Sequence, residues 1–168
     1  MGIFLDIRTV PPPLWGSIPQ LLEMAIITAA SIADHAMKAK YRVGLYVNQN
    51  KRFSGEPINL QPSRHADQLM QILEALAQIQ SVGETTPIAR MVQYAGRNLP
   101  WGSTLVVISA IPTDALFSTL LSMKRAGRRV VLVQVGGSKP EPNRDGLTVY
   151  HIKDDVMWHD LETLSVEG

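Results

Sequence analysis

Short apolar runs alternate along the chain with apolar stripes at three- and four-residue spacing. Gly2–Arg8 reads as a first strand. Pro11, Pro12 and Pro13 then exclude both helix and a central sheet position. Ser17 followed by Gln20 has the form of a capping box, and the stripe from Leu21 to Ala36 predicts a helix running to about Ala39. Its many alanines suit close packing on a sheet. Arg42–Val47 reads as a second strand, Asn48–Asn50 as turn material, and Pro57–Leu60 as a short edge strand folding back on it. Arg64–Gln80 carries Leu69, Ile72, Leu73 and Leu76 on one helical face. Thr86 and Pro87 suit the start of a further helix with Ile88, Met91, Val92 and Ala95 inward.

Ser103–Ser109 is a nearly continuous apolar run, the pattern of a central parallel strand covered on both faces. Thr113 is placed to cap a helix that ends at Gly127. Arg129–Val135 and Leu147–Ile152 read as the last strands, and Asp154–Leu164 has helical character with acids early in it. Repeated strand–helix–strand units predict a doubly wound, Rossmann-like α/β three-layer sandwich with a mostly parallel central sheet and one short antiparallel edge strand. No break in composition divides residues 1–168, so a single domain is expected.

Composition removes several function classes. Hydrophobic residues are 45% of the 168 and charged residues 18%, which excludes a disordered chain. A net charge of +1 gives no electrostatic reason to expect nucleic acid or a membrane surface as partner. Without cysteine there is no disulfide scaffold, zinc-thiolate site or thiol nucleophile. No apolar run approaches the roughly 18 residues of a membrane span.

Ligands of open parallel sheets bind beyond the carboxyl ends of the strands, at a switch point. The segments expected there carry Asp6, Arg8 and Thr9; Glu84, Thr85 and Thr86; Ser109, Thr113 and Asp114; and Gly136–Lys139. Neither a GxGxxG turn after the first strand nor a GxxxxGK phosphate loop is present. A GxSxG nucleophile elbow is also missing, and the four histidines share no i, i+4 face. Lys124, Arg125, Arg128 and Arg129 form a basic cluster at a helix C-terminus, read as a solvated cap or a docking patch. Pro11–Gly16 has the form of a recognition loop, with Leu14 and Trp15 as anchors or as covers for the sheet end.

The order of pieces resembles the bacterial family called domain of unknown function 58. The resemblance is carried by Leu22–Ala33, Tyr41–Asn48, Leu73–Ala77, Leu105–Ser109 and Ala126–Val133, and spans roughly residues 3–135. It implies a von Willebrand factor A-like domain, the C-terminal part of a longer architecture, tied to MoxR-type AAA+ ATPases. It also implies a cytoplasmic setting, including that of a soluble domain on a membrane-anchored protein. The fold brings with it a metal-ion-dependent adhesion site: a DxSxS loop, a later threonine and a later aspartate. Onto these positions fall Asp6, Arg8 and Val10, then Thr85 or Thr86, then Ala110. Arg8 adds a repelling charge and Ala110 supplies no ligand, so a degenerate site with no bound metal and no cofactor is expected.

The resulting expectation is a non-catalytic protein-interaction domain, with Arg8, Leu14, Trp15, Glu84 and Asp114 as contact candidates. The alternative is a small-ligand-binding or hydrolytic domain, metal-assisted or not, with a pocket around Asp6, Thr85, Thr86 and Asp114.

Overall fold

The computed structural model describes residues 1–11, 17–50, 55–81, 85–137 and 146–154. The chain runs β1 (Gly2–Leu5), α1 (Pro19–Lys38), β2 (Val43–Asn50), β3 (Pro57–Ser63), α2 (Gln68–Ala77), α3 (Ile88–Asn98), β4 (Thr104–Ser109), α4 (Asp114–Arg125), β5 (Arg129–Val135) and β6 (Thr148–Ile152). The strands form one sheet in the order β3-β2-β1-β4-β5-β6. Only β3 is antiparallel to its neighbour. This is the doubly wound, Rossmann-like sandwich that the alternation of runs and stripes predicts.

Strand periodicity divides the core in two. Ile3 and Leu5 of β1, Val106 and Ile108 of β4 and Val133 of β5 pack on the side of α1 and α2. Phe4, Leu105, Val107 and Leu132 pack on the side of α3 and α4. Ala25, Ala29 and Ala33 are wholly buried along α1, so the small residues there do bring the helix close to the sheet. Gly96 does the same for α3, since a Cβ would lie 2.8 Å from Leu105 Cδ2.

Several local expectations are corrected. Asn48–Asn50 continues β2 rather than turning, because the strand has partners on both sides and Asn48 and Gln49 are buried with their amides bonded. The Ser17–Gln20 capping box does not form. Ser17 Oγ donates to Ser81 O, and the amide of Ile18 at the start of α1 is taken by Thr9 Oγ1 from before the proline run. Thr86 does not cap α3, whose N-cap is Pro87. Instead, Thr86 N donates to Asn48 O at 3.1 Å. The helix expected over 64–80 is shorter, since Gln68 turns inward and its Nε2 donates to Val43 O and Gln61 O. The Thr113 cap does form, accepting from Leu116 N at 3.2 Å.

The layers are unequal. α3 and α4 cover the back of the sheet, whereas among the described residues no helix covers the front of β5 and β6 beside α1. A groove of about 770 Å³ opens there, floored by Val106, Val131, Val133, Tyr150 and Ile152.

Candidate functional site

β1 sits between β2, reached through α1, and β4, reached from the opposite direction. The chain's switch point is therefore the carboxyl end of β1. The first residue past that end is Asp6. Its backbone N–H still pairs with Ile108 O at 2.9 Å, which fixes the carboxylate between the ends of β2 and β4. Asp6 is 1% exposed.

A buried carboxylate needs donors, and the neighbouring strand ends provide them. Asn48 Nδ2 donates to Asp6 Oδ1 at 2.7 Å, and Ser109 Oγ donates to Oδ2 at 3.0 Å. The backbone N–H of Arg8 donates to Oδ1 at 3.2 Å, and Arg8 Nε lies 3.5 Å from the same oxygen as an ion pair. The donors are themselves held. Asn48 Oδ1 accepts from Ile7 N at 2.9 Å, and Ser109 Oγ accepts from Ile111 N at 3.2 Å. Burial pushes the Asp6 carboxyl above its ordinary value of 3.8, against the opposing pull of the Arg8 charge and the hydrogen bonds. Arg8 Nε is buried and makes no hydrogen bond, while its side chain as a whole stays 28% exposed at the rim.

These positions bear directly on the divalent-cation site that the resemblance implies. A hard cation takes about six oxygen ligands. Asp6 presents both oxygens to the chain's own donors, with a guanidinium nitrogen beside one of them. Val10 and Ala110 carry no donor atom on their side chains, and Ala110 is buried. Thr85 is half-buried and bridged to Gln49, and Thr86 is exposed. The residues present do not fit the cation. Among the described residues, no group of three or more His, Asp or Glu could hold a metal.

The other candidates are spread apart. Asp114 is exposed in the first turn of α4. Asp6 and Asp114 line neither the groove beside α1 nor the smaller one of about 350 Å³ between α3 and β2, which Thr86 does line. Leu14, Trp15 and Glu84 lie outside the described residues, as does part of Gly136–Lys139. The basic cluster is split by burial. Arg128 is buried, donates to Pro100 O at 2.7 Å and Arg97 O at 3.1 Å, and stacks on Trp101.

Asn48 is the residue that sequence reasoning missed. The signal was available, since an apolar run that ends in amides at a switch point can continue as a strand whose last side chains turn to a neighbouring carboxylate. Comparison with protein-family models and with curated proteins finds no match for this chain. The geometry establishes a Rossmann-like sandwich whose switch-point carboxylate is held by the chain's own donors.

Proposed function

We propose that this chain is a non-catalytic protein-interaction domain, von Willebrand factor A-like and related to domain of unknown function 58, that docks on a MoxR-type AAA+ ATPase. The observation that supports this reading is the saturation of Asp6. A carboxylate engaged by Asn48, Ser109 and Arg8 is a poor general base and a poor metal ligand, because either task would strip away donors that are themselves anchored. Arg8 supplies a fixed positive charge at the place where the related fold would use a cation. The edge that carries it, together with Leu14, Trp15, Glu84 and Asp114, is the docking surface. An acidic side chain on the partner is the complementary group for Arg8.

Calorimetric titration of a MoxR-type ATPase into the domain tests this. Wild type binds, and Arg8→Ala and Trp15→Ala each weaken binding about tenfold or more, Trp15→Ala with little change in melting temperature and Arg8→Ala with a lower one, because it also removes the ion pair to Asp6. Equal affinity of wild type and both variants would sink the proposal. Titration of the chelator-treated domain with magnesium and manganese separates it from the ligand-binding or hydrolytic alternative. Saturable binding of one equivalent, abolished by Asp6→Ala, overturns the interaction reading in favour of a metal-assisted site.

A further inference from the structure

We propose that Trp101 and the arginines beside it, at the amino ends of β4 and β5, bind a short acidic segment of a partner protein, with an apolar side chain of that segment stacked on the indole. Trp101 is 80% exposed, the most exposed large hydrophobic side chain among the described residues. It is nevertheless held in one place. Pro100–Ser103 is a tight turn closed by Ser103 N, which donates to Pro100 O at 3.1 Å. Gly102 has a φ of 79°, the positive value that a type II turn needs at its third residue. The Arg128 guanidinium lies over the ring, 4.8 Å from its centroid. Arg128 is buried and anchored by its bonds to Pro100 O and Arg97 O. The indole thus rests on a fixed cation and turns the rest of its surface to solvent. An aromatic side chain immobilised before binding loses little conformational entropy when it is contacted, which is the property of an interface anchor.

The charge around this platform identifies the partner's chemistry. From Thr85 to Gly137, the stretch that holds α3, β4, α4 and β5, the chain has six Lys and Arg and one acid. That acid, Asp114, is in the first turn of α4, at the far end of the helix from Trp101. Two cations near Trp101 are engaged internally: Arg128 as above, and Lys124, which donates to Gly146 O. Arg97, Arg125 and Arg129 are exposed and make no ion pair among the described residues. Arg97 is in the last turn of α3. Arg125 is in the last turn of α4, two residues before Gly127, where a Cβ would lie 3.9 Å from Trp101 Cζ3. The ring is flanked by the basic ends of both helices. Cations there also offset the helix carbonyls, but that role needs no exposed aromatic between them. Guanidinium groups pair bidentately with carboxylates, so Asp or Glu on both sides of an apolar residue is the complementary pattern. A strand of nucleic acid needs several stacking faces along a charged groove, whereas here one indole stands on a single turn. This edge of the sheet is opposite the one that carries Asp6 and Arg8, so the surface is distinct from the docking edge proposed above.

Titration of the full chain, followed by NMR, tests this. The probe is a short peptide with a central Phe between pairs of Glu. The indole N–H signal that disappears in Trp101→Phe reports on Trp101. In the wild type that signal, and the backbone amides of Arg97 and Arg125, move saturably as the peptide is added. Affinity falls about tenfold or more when the Glu residues of the peptide are replaced by Gln, when its Phe is replaced by Ala, or when the protein carries Arg97→Gln with Arg125→Gln. The double variant changes only exposed side chains, so its core signals stay in place. Arg8→Ala, on the opposite edge, leaves the affinity unchanged, which keeps this test separate from that of the docking edge. A Trp101 signal that does not move with the peptide overturns the proposal. Equal affinity for the Glu and Gln peptides overturns it as well. Movement with oligothymidylate but not with the peptide also overturns it, and assigns the surface to single-stranded nucleic acid.

Discussion

The carboxyl end of β1 and the groove beside α1 are opposite kinds of place. The first is polar, buried and closed: Asn48 and Ser109 each donate to Asp6, and the three accept from the backbone N–H groups of Ile7, Ile111 and Arg8. The second is apolar, wide and open among the described residues. Topology directs attention to the first, because the switch point of a parallel sheet is where ligands bind. Here the polar groups at that point tie together three strand ends and leave Arg8 at the rim. The open space among the described residues lies along the sheet face instead. A switch point is thus a location where side chains converge. Whether they receive a ligand depends on whether they have already satisfied one another.

Removing the centre of the polar cluster has the largest expected effect. Asp6→Ala leaves Asn48 Nδ2, Ser109 Oγ and the Arg8 charge without their buried acceptor, at a cost of about 3 kcal/mol in urea unfolding. A loss below about 1 kcal/mol would mean that water reaches the site, and would make it an open pocket after all. Asn48→Ala removes two hydrogen bonds and strands the buried Ile7 N–H, for about 2 kcal/mol by the same measurement.

The apolar region is probed by a matched pair. Val107→Ala, in the closed core, costs about 2 kcal/mol, whereas Val131→Ala in an open groove costs under about 1 kcal/mol. Equal losses would show that the groove is covered in solution.

The smallest effect concerns pH. The Asp6 carboxyl keeps its proton to a higher pH when folded than when unfolded. Between the ordinary value of 3.8 and the raised one, the native state holds a proton that the unfolded chain has released. Stability contributed by this group therefore falls as pH rises through that window and is level above it. Urea midpoints from about pH 3.5 to about pH 8 should show wild type losing ground to Asp6→Asn as pH rises, then running parallel to it. A difference that grows in favour of wild type instead would show that Arg8 and the hydrogen bonds outweigh burial.

Local patterns in the sequence decide the elements because each is a short-range property. The continuous run Thr104–Ser109 could only be a strand covered on both faces, and the alanine-rich stripe of α1 could only lie close to a sheet. The order of those elements also carried the doubly wound topology, through the handedness of strand–helix–strand units. Asp6 was legible as a residue at the site. Its state was not, because Asn48 and Ser109 lie 42 and 103 residues away and reach it only when β2 and β4 flank β1. The caps failed for the same reason: Ser17 and Thr86 have the right local form, yet Ser81 and Asn48 offer them partners that no local pattern contains. Which polar groups are spent on each other, and which face of the sheet stays open, is decided by long-range pairing, since a hydrogen bond or a buried face needs both partners in place.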